Sequence, residues 1–351
     1  MADHQPPRPL VQGKPAWIGA DLARRPEEWT YHLTEADLTE IESAVAACRG
    51  RDIAAITKAD FPLPGFGVTL NRMRDELLNG RGFVLIRGLP VEGRPIEDSA
   101  IAYFGIGAHF GSSRSQNAKG HVLGHVRDLG LATADPNVRT YQTTERQHFH
   151  TDSCDIVGLL CLKTAKPGGM SSLVSSNTIC NVMAERYPDL VWRLFQPFAT
   201  DRRGEVPEGK KPWFDMPVFH DYKGYLSAIY SGTYIRSARR FPEARQPTAD
   251  DLAALECFDS LVEDSELRLD ITFQPGDIQF VHNHTLLHDR TSFVDWPEPE
   301  RKRHLLRLWL AAPGARPLPP VYAERYGGLE IGDRGGIICP GTKLHALLEP
   351  V

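Results

Sequence analysis

The feature of this sequence that most constrains its fold is a strict alternation of apolar and polar residues over positions 267–273, which Ile278, Phe280 and His282 continue. Side chains two residues apart share one face of a strand, so such a segment buries one face and exposes the other. A Gln-Pro-Gly-Asp turn at 274–277 separates the two halves. Paired strands with one buried face are typical of antiparallel sheets.

The remaining elements indicate a mainly β fold with added helices (α+β). Further short strands are predicted at residues 82–88, 156–162, 171–176, 225–230 and 303–310. Helices are predicted from a Thr-Glu-Ala-Asp capping box at 34–37, over 70–78, 98–110 and 178–195, and from a second capping box at 248–251. Strands and helices do not alternate regularly, and Gly105-Ile106-Gly107 belongs to no complete Gly-x-Gly-x-x-Gly motif. We therefore predict an antiparallel sandwich or barrel rather than a Rossmann sheet.

Composition and charge exclude several classes of protein. The chain has 351 residues, of which 41% are apolar and 24% charged, as is ordinary for globular proteins. Forty Lys and Arg against 45 Asp and Glu give a formal net charge of −5 without a basic tract, so nucleic acid is not expected as a partner. No apolar run approaches the ~18 residues of a membrane-spanning helix, and the amino terminus lacks the hydrophobic stretch of a secretory signal. We expect a cytoplasmic protein without a membrane partner, and the sequence leaves a homo-oligomer open.

Six cysteines are scattered along the chain, at positions 48, 154, 161, 180, 257 and 339. They form no Cys-x-x-Cys pair and no Cys/His spacing that is typical of zinc sites. We predict that they are small packing residues in a reducing cytoplasm.

A His-x-Asp pair, His150 and Asp152, is the first of three features that together indicate a metal site. In a strand these two side chains share a face. His288 follows a predicted strand, and Arg303 and Arg307 stand four residues apart on the last one. Two His and one carboxylate on one face of an ion leave three positions open, which is the ligand set of non-heme Fe(II) enzymes that bind a chelating cosubstrate and O₂. An arginine nearby can hold the far carboxylate of such a cosubstrate.

Other histidines compete with this assignment. His148 lies on the same strand face as His150, but its use as the ligand would break the His-x-Asp pair. His282 and His284 also share a face and offer a second pair of metal ligands. His304 lies between two arginines and is expected to point to the opposite face of the sheet.

Five segments of the chain are similar to those of one enzyme family. They are Phe149-His150-Thr151-Asp152, Lys166-Pro167-Gly168-Gly169, Gly276-Asp277, residues 283–288 and residues 303–309. On these residues the chain resembles the taurine dioxygenase / clavaminate synthase-like family of Fe(II)- and 2-oxoglutarate-dependent oxygenases, over roughly residues 80–312. The segment that contains Trp29 and Thr34 also looks like a feature of a subfamily.

The resemblance implies which residues bind the iron. His150, Asp152 and His288 match the three ligands of the family, and together they are the expected catalytic centre. The match of Asn283 to an asparagine of the family, five residues before its distal histidine, favours His288 over His284.

The resemblance also implies how the cosubstrate and the substrate bind. Arg303 matches the arginine that forms a salt bridge with the distal carboxylate of 2-oxoglutarate, and Arg307 matches one that often meets an acidic group of the substrate. The family places a Ser or Thr hydroxyl after the Gly-Gly turn against the same distal carboxylate. Ser171 fits this position without a gap and Ser172 with a one-residue slip, and strand alternation points only one of them inward. Asn117, in a polar loop, is a candidate substrate contact.

The fold implied by the resemblance is a double-stranded β-helix, a jelly-roll or cupin-like barrel flanked by amino-terminal and inserted helices. We expect one domain over residues 1–351. It comprises an arm and helices at 1–80, the core at 81–312 with a lid insertion at about 200–260, and a carboxyl-terminal extension at 313–351.

The function implied is a dioxygenase that uses Fe(II), 2-oxoglutarate and O₂ to oxidise a small, anionic organic substrate, with hydroxylation as the expected outcome and succinate and CO₂ as coproducts. Two alternatives stay open. A cupin-like metalloprotein or a dioxygenase without 2-oxoglutarate would have no use for Arg303. A catalytically inactive binding protein on the same fold would tolerate the loss of a ligand, whereas all three are present here.

Overall fold

The computed structural model describes residues 10–131, 139–337 and 341–350, and it has a mixed helix-and-sheet fold. The strands in these ranges are β1 Thr30–His32, β2 Phe83–Arg87, β3 Ser112–Ser113, β4 Leu123–Val126, β5 Gln147–His150, β6 Ile156–Lys163, β7 Ser171–Ser175, β8 Phe198–Asp201, β9 Trp213–Met216, β10 Phe219–Tyr222, β11 Tyr225–Ala228, β12 Arg268–Ile271, β13 Ile278–His282, β14 Leu286–Arg290 and β15 His304–Ala311. The helices are α1 Gly19–Ala23, α2 Glu35–Cys48, α3 Phe66–Asn79, α4 Ile96–Ala108, α5 Ser176–Arg186, α6 Pro188–Val191, α7 Gly232–Ser237, α8 Ala249–Val262 and α9 Ala323–Tyr326. Among the described residues, no helix has the length and apolar character needed to cross a membrane.

Two sheets carry the fold. The larger sheet has the strand order β1-β2-β13-β6-β15-β3, and β4 also pairs with β15. The smaller sheet has the order β12-β7-β14-β5, and the hairpins β8-β9 and β10-β11 stand apart from both. β1 runs parallel to β2, whereas the other pairings between the described strands are antiparallel. The antiparallel arrangement agrees with the alternation seen in the sequence, and β12 has one exposed face as expected. The expectation of an exposed face is wrong for β13, whose residues are all buried because other layers of the fold cover both of its faces.

Apolar side chains of both sheets pack against one another in a shared core. This core includes Phe83, Val157 and Trp309 from the larger sheet and Leu173 and Ile271 from the smaller one. A second apolar cluster joins the larger sheet to α2, α3 and α4, and a third joins the smaller sheet to α5 and α8. The layers are therefore helix, sheet, sheet and helix, because each sheet buries both of its faces.

Both predicted capping boxes are confirmed. The Thr34 hydroxyl accepts a hydrogen bond from the backbone N–H of Asp37 at 3.2 Å, and the Asp37 carboxylate accepts one from the backbone of Thr34 at 2.9 Å. Thr248 and Asp251 form the same reciprocal pair at the start of α8. These bonds satisfy N–H groups that have no partner inside the helix, which fixes where each helix begins.

The single helix predicted over 178–195 is wrong. α5 ends at Arg186, and a separate short helix begins at Pro188. Proline has no backbone N–H and its ring clashes with the preceding turn, so α5 cannot continue through this position. A turn of 3₁₀ helix, Trp192–Phe195, then completes the segment.

The cysteines are mainly packing residues, as predicted. Cys48, Cys154, Cys161 and Cys180 are buried, Cys257 is half-buried, and all five are free thiols. Cys339 lies outside the described residues.

A buried ion pair fixes the carboxyl-terminal segment to the core. Arg334 and Asp155 have fully buried side chains, and the Arg334 Nε donates to Asp155 Oδ1 at 2.9 Å. His284 Nε2 lies 2.8 Å from the same oxygen, and the backbone N–H of Ala312 donates to Oδ2 at 3.1 Å. Burial alone would raise the pKa of Asp155, but the hydrogen bond from His284 and the charge of Arg334 outweigh it and lower that pKa.

Replacing Arg334 with methionine is expected to reduce the free energy of unfolding by about 3–5 kcal/mol, because it leaves a buried carboxylate without its cation. The loss is fully present above the ordinary pKa of a carboxyl group. It shrinks as the pH falls through the lowered pKa of Asp155, since protonation removes the charge. Urea unfolding at neutral and acidic pH measures both effects.

Arg49→Met is the matched control, because Arg49 pairs with Asp98 but its side chain is 55% exposed. If both variants lost the same free energy of unfolding, the stabilising role assigned to the buried pair of Arg334 and Asp155 would be wrong.

Candidate metal centre

Three side chains predicted as metal ligands converge between β5 and β14. His150 ends β5 and His288 lies in the middle of β14, where the two residues are direct partners in the ladder. Asp152 Oδ1 lies 3.8 Å from His150 Nε2, and its Oδ2 lies 3.6 Å from His288 Nε2. One ligand atom from each residue lies within 4.8 Å of the other two, and the side chains are only 10–14% exposed. The arrangement offers three donors to one ion from a single side.

The position of Asp152 is set by contacts outside its own strand. β5 ends at His150, so strand alternation does not reach Asp152. Instead, the Asn283 carboxamide oxygen accepts from the backbone N–H of Asp152 at 3.1 Å. The indole N–H of Trp309 donates to Asp152 Oδ2 at 2.9 Å. These two bonds hold both the backbone and the carboxylate toward the histidines. The resemblance assigned a place to Asn283, whereas Trp309 stood in the segment 303–309 without a role; its position two residues after Arg307 on one strand is the signal that could have found it.

The protonation states fit metal binding. Burial, together with the neighbouring His288, lowers the pKa of His150 to about 4, so its imidazole is neutral near pH 7. Its Nδ1 lies 2.8 Å from the carbonyl of His148, which leaves Nε2 to act as the ligand atom. Burial opposes the ionisation of Asp152, but Arg307 and His288 outweigh it and hold the pKa of that carboxyl well below its usual range. Neutral imidazole and ionised carboxylate are the forms that bind metals.

The competing histidines lie elsewhere. His284 Nε2 contacts Asp155, and His282 Nδ1 lies 3.0 Å from the Thr285 hydroxyl. His304 is buried on the opposite side of its strand, where its Nε2 lies 2.8 Å from His125 Nδ1.

His148 belongs to a second group of candidate donors, with Glu263 and Asp289. Its side chain is 70% exposed. Arg146 bridges the two carboxylates, donating to Asp289 and to Glu263 at 2.8 Å each. This group is therefore an ion-pair network that already contains its own cation.

Beside the three candidate ligands, a guanidinium group is buried without a full set of partners. Arg303 is 4% exposed, and its Nη2 donates to the carbonyl of Gly169 at 3.2 Å. Its Nη1 is buried and has no hydrogen-bond partner among the described residues. Burial lowers the pKa of Arg303 to about 10, so the group stays cationic near pH 7. A buried cation with a free donor is a site for an anion.

The Gly-Gly turn makes room for this guanidinium. A Cβ atom on Gly169 would lie 2.8 Å from Arg303 Nε, closer than real Cβ contacts allow. Gly169 also has a φ of +71°, a conformation that favours glycine. The Lys-Pro-Gly-Gly motif therefore permits the close approach of Arg303 to the smaller sheet.

The two serines after this turn point in opposite directions. Ser171 lines the same small cavity as Arg303 and His288, and its hydroxyl donates to the Gln279 side chain at 2.8 Å. The Ser172 hydroxyl instead donates to Asp270 at 2.6 Å and does not line that cavity. Strand alternation separates the two, so only Ser171 faces Arg303.

Arg290 is a residue of this cavity that the sequence analysis missed. It stands two residues after His288 on the same strand, and that spacing is the signal that could have placed it on the same face. Its guanidinium donates to the carbonyl of Thr143 at 3.0 Å and to that of Glu145. Arg290 thereby ties β14 to the segment that leads into β5 and His150.

A cavity of about 530 Å³ opens on the other side of the candidate ligands. At its base, the Arg307 Nε donates to the Gln116 side chain at 2.7 Å, and Nη1 lies 3.8 Å from Asp152 Oδ2. The Tyr141 ring lies 4.7 Å from this guanidinium. Asn117 lines the wall, but its side-chain oxygen accepts from the backbone of Lys119 at 2.9 Å. The far wall comes from β8, β9 and α7.

Residues 49–309 match the sequence model of the family described as taurine catabolism dioxygenase TauD, TfdA family. This match covers most of the chain. The protein belongs to the TauD, TfdA family. It is therefore a non-heme iron and 2-oxoglutarate-dependent oxygenase, as the sequence motifs predicted. The donor set of His150, Asp152 and His288 fits the iron of this family, and the buried Arg303 fits the anionic cosubstrate.

Two curated proteins are similar to this TauD, TfdA family member over most of its length. The chain is 29% identical over 329 residues to FR-33289 synthase of Streptomyces rubellomurinus (strain ATCC 31215), covering 91% of this chain and 96% of that protein. It is 31% identical over 306 residues to the taurine hydroxylase-like protein SAT17 of Stachybotrys chartarum (strain CBS 109288 / IBT 7711), covering 84% of this chain and 77% of that protein.

Solved structures share the fold of this TauD, TfdA family member. Asparagine oxygenase, in complex with Fe(II), 2S,3S-3-hydroxyasparagine and succinate, superposes with a TM-score of 0.61 at 15% identity and covers 80% of this chain and 93% of that chain. The non-heme iron oxygenase OrfP, in complex with Fe and alpha-ketoglutaric acid, has a TM-score of 0.59 at 14% identity, covering 80% and 93%.

Proposed function

We propose that this enzyme oxidises a small, anionic organic substrate, with hydroxylation as the outcome and succinate and CO₂ as the coproducts. The observation that carries the proposal is the convergence of His150, Asp152 and His288 within 4.8 Å, next to the buried and incompletely paired guanidinium of Arg303. Ligands on one side of an ion leave positions for a chelating cosubstrate and O₂.

Each residue has a separate task in this proposal. His150, Asp152 and His288 hold the iron, which together with 2-oxoglutarate and O₂ supplies the oxidation of a C–H bond. Arg303 and the Ser171 hydroxyl hold the distal carboxylate of 2-oxoglutarate; Ser172 is turned away from it. The Trp309 indole N–H would keep the Asp152 carboxylate oriented toward His150 and His288, where the three side chains would hold the metal.

The larger cavity supports a small-molecule substrate. Its volume of about 530 Å³ falls within the range of roughly 300–1,000 Å³ that is usual for such sites. Arg307 at its base offers a cation to a carboxylate or another anionic group, close to Asp152. Asn117 contributes to the wall. The solved complexes of asparagine oxygenase and OrfP contain hydroxylated amino acids, which favours an amino acid or a related acid.

We further propose that the two sheets form a double-stranded β-helix and that the chain is one domain, with its core at 81–312. The insertion at about 200–260 shares an apolar cluster with Phe149 and Leu287 of the smaller sheet, which supports a single folding unit. The extension at 313–351 contributes Arg334 to the buried pair with Asp155.

A succinate-release screen over amino acids, sulfonates and small carboxylates tests the proposed reaction. We expect a substrate with an anionic group to raise the rate of succinate formation, and a hydroxylated product to accumulate in proportion to the succinate. The uncharged ester or amide of the same substrate is not expected to raise the rate. Asp152→Ala provides the background rate. A metalloprotein that uses no 2-oxoglutarate, or an inactive binding protein, would release no succinate above that background under any condition, and that result would overturn the proposal.

A further inference from the structure

Gln147, the first residue of β5, lies directly beside a candidate metal ligand. Its side-chain Nε2 is 3.0 Å from His150 Nε2. The other ring nitrogen of this histidine, Nδ1, faces the carbonyl of His148 at 2.8 Å and therefore carries the ring proton. Nε2 is then an acceptor, and the Gln147 amide donates to it. The N–H group of Gln147 is therefore aimed at the lone pair that is assigned to the metal.

An extra residue in β5 brings Gln147 to this position. Strand alternation would place residues 147 and 150 on opposite faces. However, His150 pairs with His288 and Gln147 pairs with Arg290, so β5 uses three residues where β14 uses two. Such a β-bulge re-aims a side chain and is frequent next to active sites. All four of these residues line the same small cavity.

Gln147 and Arg303 offer two different donors to this small cavity, which Ser171 also lines. Arg303 contacts the carbonyl of Gly169 in the Gly-Gly turn and keeps its buried Nη1 without a partner among the described residues. Gln147 instead contacts the metal ligand His150. A molecule in the cavity is therefore offered a cation beside the Gly-Gly turn and a neutral amide beside the metal ligands.

We propose that the side-chain amide of Gln147 binds the 2-oxo acid end of 2-oxoglutarate, the end that chelates the metal. This inference rests on the proposed function and adds a cosubstrate-binding residue to it. A metal on Nε2 of His150 takes the lone pair that the amide faces, because one lone pair cannot serve both. The N–H group then needs another acceptor, since a donor without a partner costs free energy. The oxygens of the 2-oxo acid are acceptors in the same cavity.

Two 2-oxo acids test the contact in anaerobic titrations of the Fe(II)-loaded enzyme. Pyruvate has the same chelating end as 2-oxoglutarate but no distal carboxylate. Gln147→Leu is expected to raise the dissociation constants of both compounds by the same factor, about tenfold, because it removes one hydrogen bond to a charged group. Arg303→Gln is expected to weaken only the binding of 2-oxoglutarate. The charge-transfer band of the 2-oxoglutarate complex should change its position in Gln147→Leu and keep it in Arg303→Gln.

Gln147→Glu distinguishes a hydrogen-bond donor from a residue that merely fills space. It keeps the shape of the side chain and removes the N–H group, so it is expected to weaken both 2-oxo acids at least as much as Gln147→Leu does. The Fe(II) affinity of Gln147→Leu, measured before any 2-oxo acid is added, should equal that of the wild type.

Three results would overturn the role of Gln147. They are unchanged binding of both compounds in Gln147→Leu, wild-type binding in Gln147→Glu, and a loss of Fe(II) affinity in Gln147→Leu that accounts for its weaker binding of the 2-oxo acids. The wild type separates the two proposals. If it binds neither 2-oxo acid, the proposed function fails, whereas equal binding by wild type and Gln147 variants contradicts this inference alone.

Discussion

Replacing His288 with alanine is expected to abolish succinate production and to weaken Fe(II) binding by at least about 100-fold. Loss of a group that merely orients a ligand costs about 10- to 100-fold in metal affinity, and His288 is assigned as a ligand itself. The two ligands that remain, His150 and Asp152, are two residues apart in one segment, so β14 would no longer supply a ligand to the ion. Anaerobic titration with Fe(II), followed by equilibrium dialysis, measures the affinity.

His148→Ala is the matched control for this variant. His148 is another histidine of the same region, but its side chain is 70% exposed and points to Glu263. It should bind iron and produce succinate as the wild type does. The decisive comparison is with His284, which contacts Asp155 instead of Asp152. If His288→Ala kept iron and activity while His284→Ala lost both in a folded protein, the assignment of the distal ligand would be wrong.

Replacing Arg303 with glutamine is expected to raise the dissociation constant of 2-oxoglutarate about 100-fold, with little change in the affinity for Fe(II). Hydrogen bonds to charged groups contribute about 1.5–3 kcal/mol each, and the guanidinium offers a bidentate contact that glutamine cannot reproduce. The buried Nη1 has no partner among the described residues, so the anion is expected to be its partner. Anaerobic titration of the Fe(II)-loaded enzyme with 2-oxoglutarate measures the constant.

The adjacent serines provide an internal comparison in the same titration. Ser171→Ala removes a hydroxyl from the cavity of Arg303 and is expected to weaken 2-oxoglutarate binding about tenfold. Ser172→Ala removes a hydroxyl that contacts Asp270, on the other face of the strand, and is expected to leave the affinity unchanged. The opposite pattern would mean that the serine next to the cosubstrate is misassigned.

Local chemistry made much of this fold predictable. The capping boxes at Thr34 and Thr248 placed two helix starts, because reciprocal hydrogen bonds between residues three positions apart do not depend on the rest of the fold. Strand alternation distinguished Ser171 from Ser172 in principle, but the choice needed the register of β7. The end of α5 before Pro188 was missed because the prediction followed the helical spacing of the apolar residues and did not take the proline as a helix boundary.

The rest of the candidate site depends on pairings between distant segments. Trp309 reaches Asp152 across 157 positions, and Arg290 reaches the carbonyls at 143–145 across a similar distance. Arg325 contacts Ser153 from a segment that carried no motif. A single sequence does not contain these contacts in any local pattern, since they follow from the closure of the sheets and the docking of the carboxyl-terminal segment.

Anaerobic titration of the wild-type, Fe(II)-loaded protein with 2-oxoglutarate, followed by visible absorption, shows directly whether the cosubstrate chelates the iron. His150, Asp152 and His288 are proposed to hold the iron, and Arg303 lines the same small cavity as the two histidines. We expect a weak charge-transfer band to appear as 2-oxoglutarate chelates the iron, and to saturate at one equivalent per chain. A protein that binds iron but shows no band at any concentration of 2-oxoglutarate would contradict this expectation.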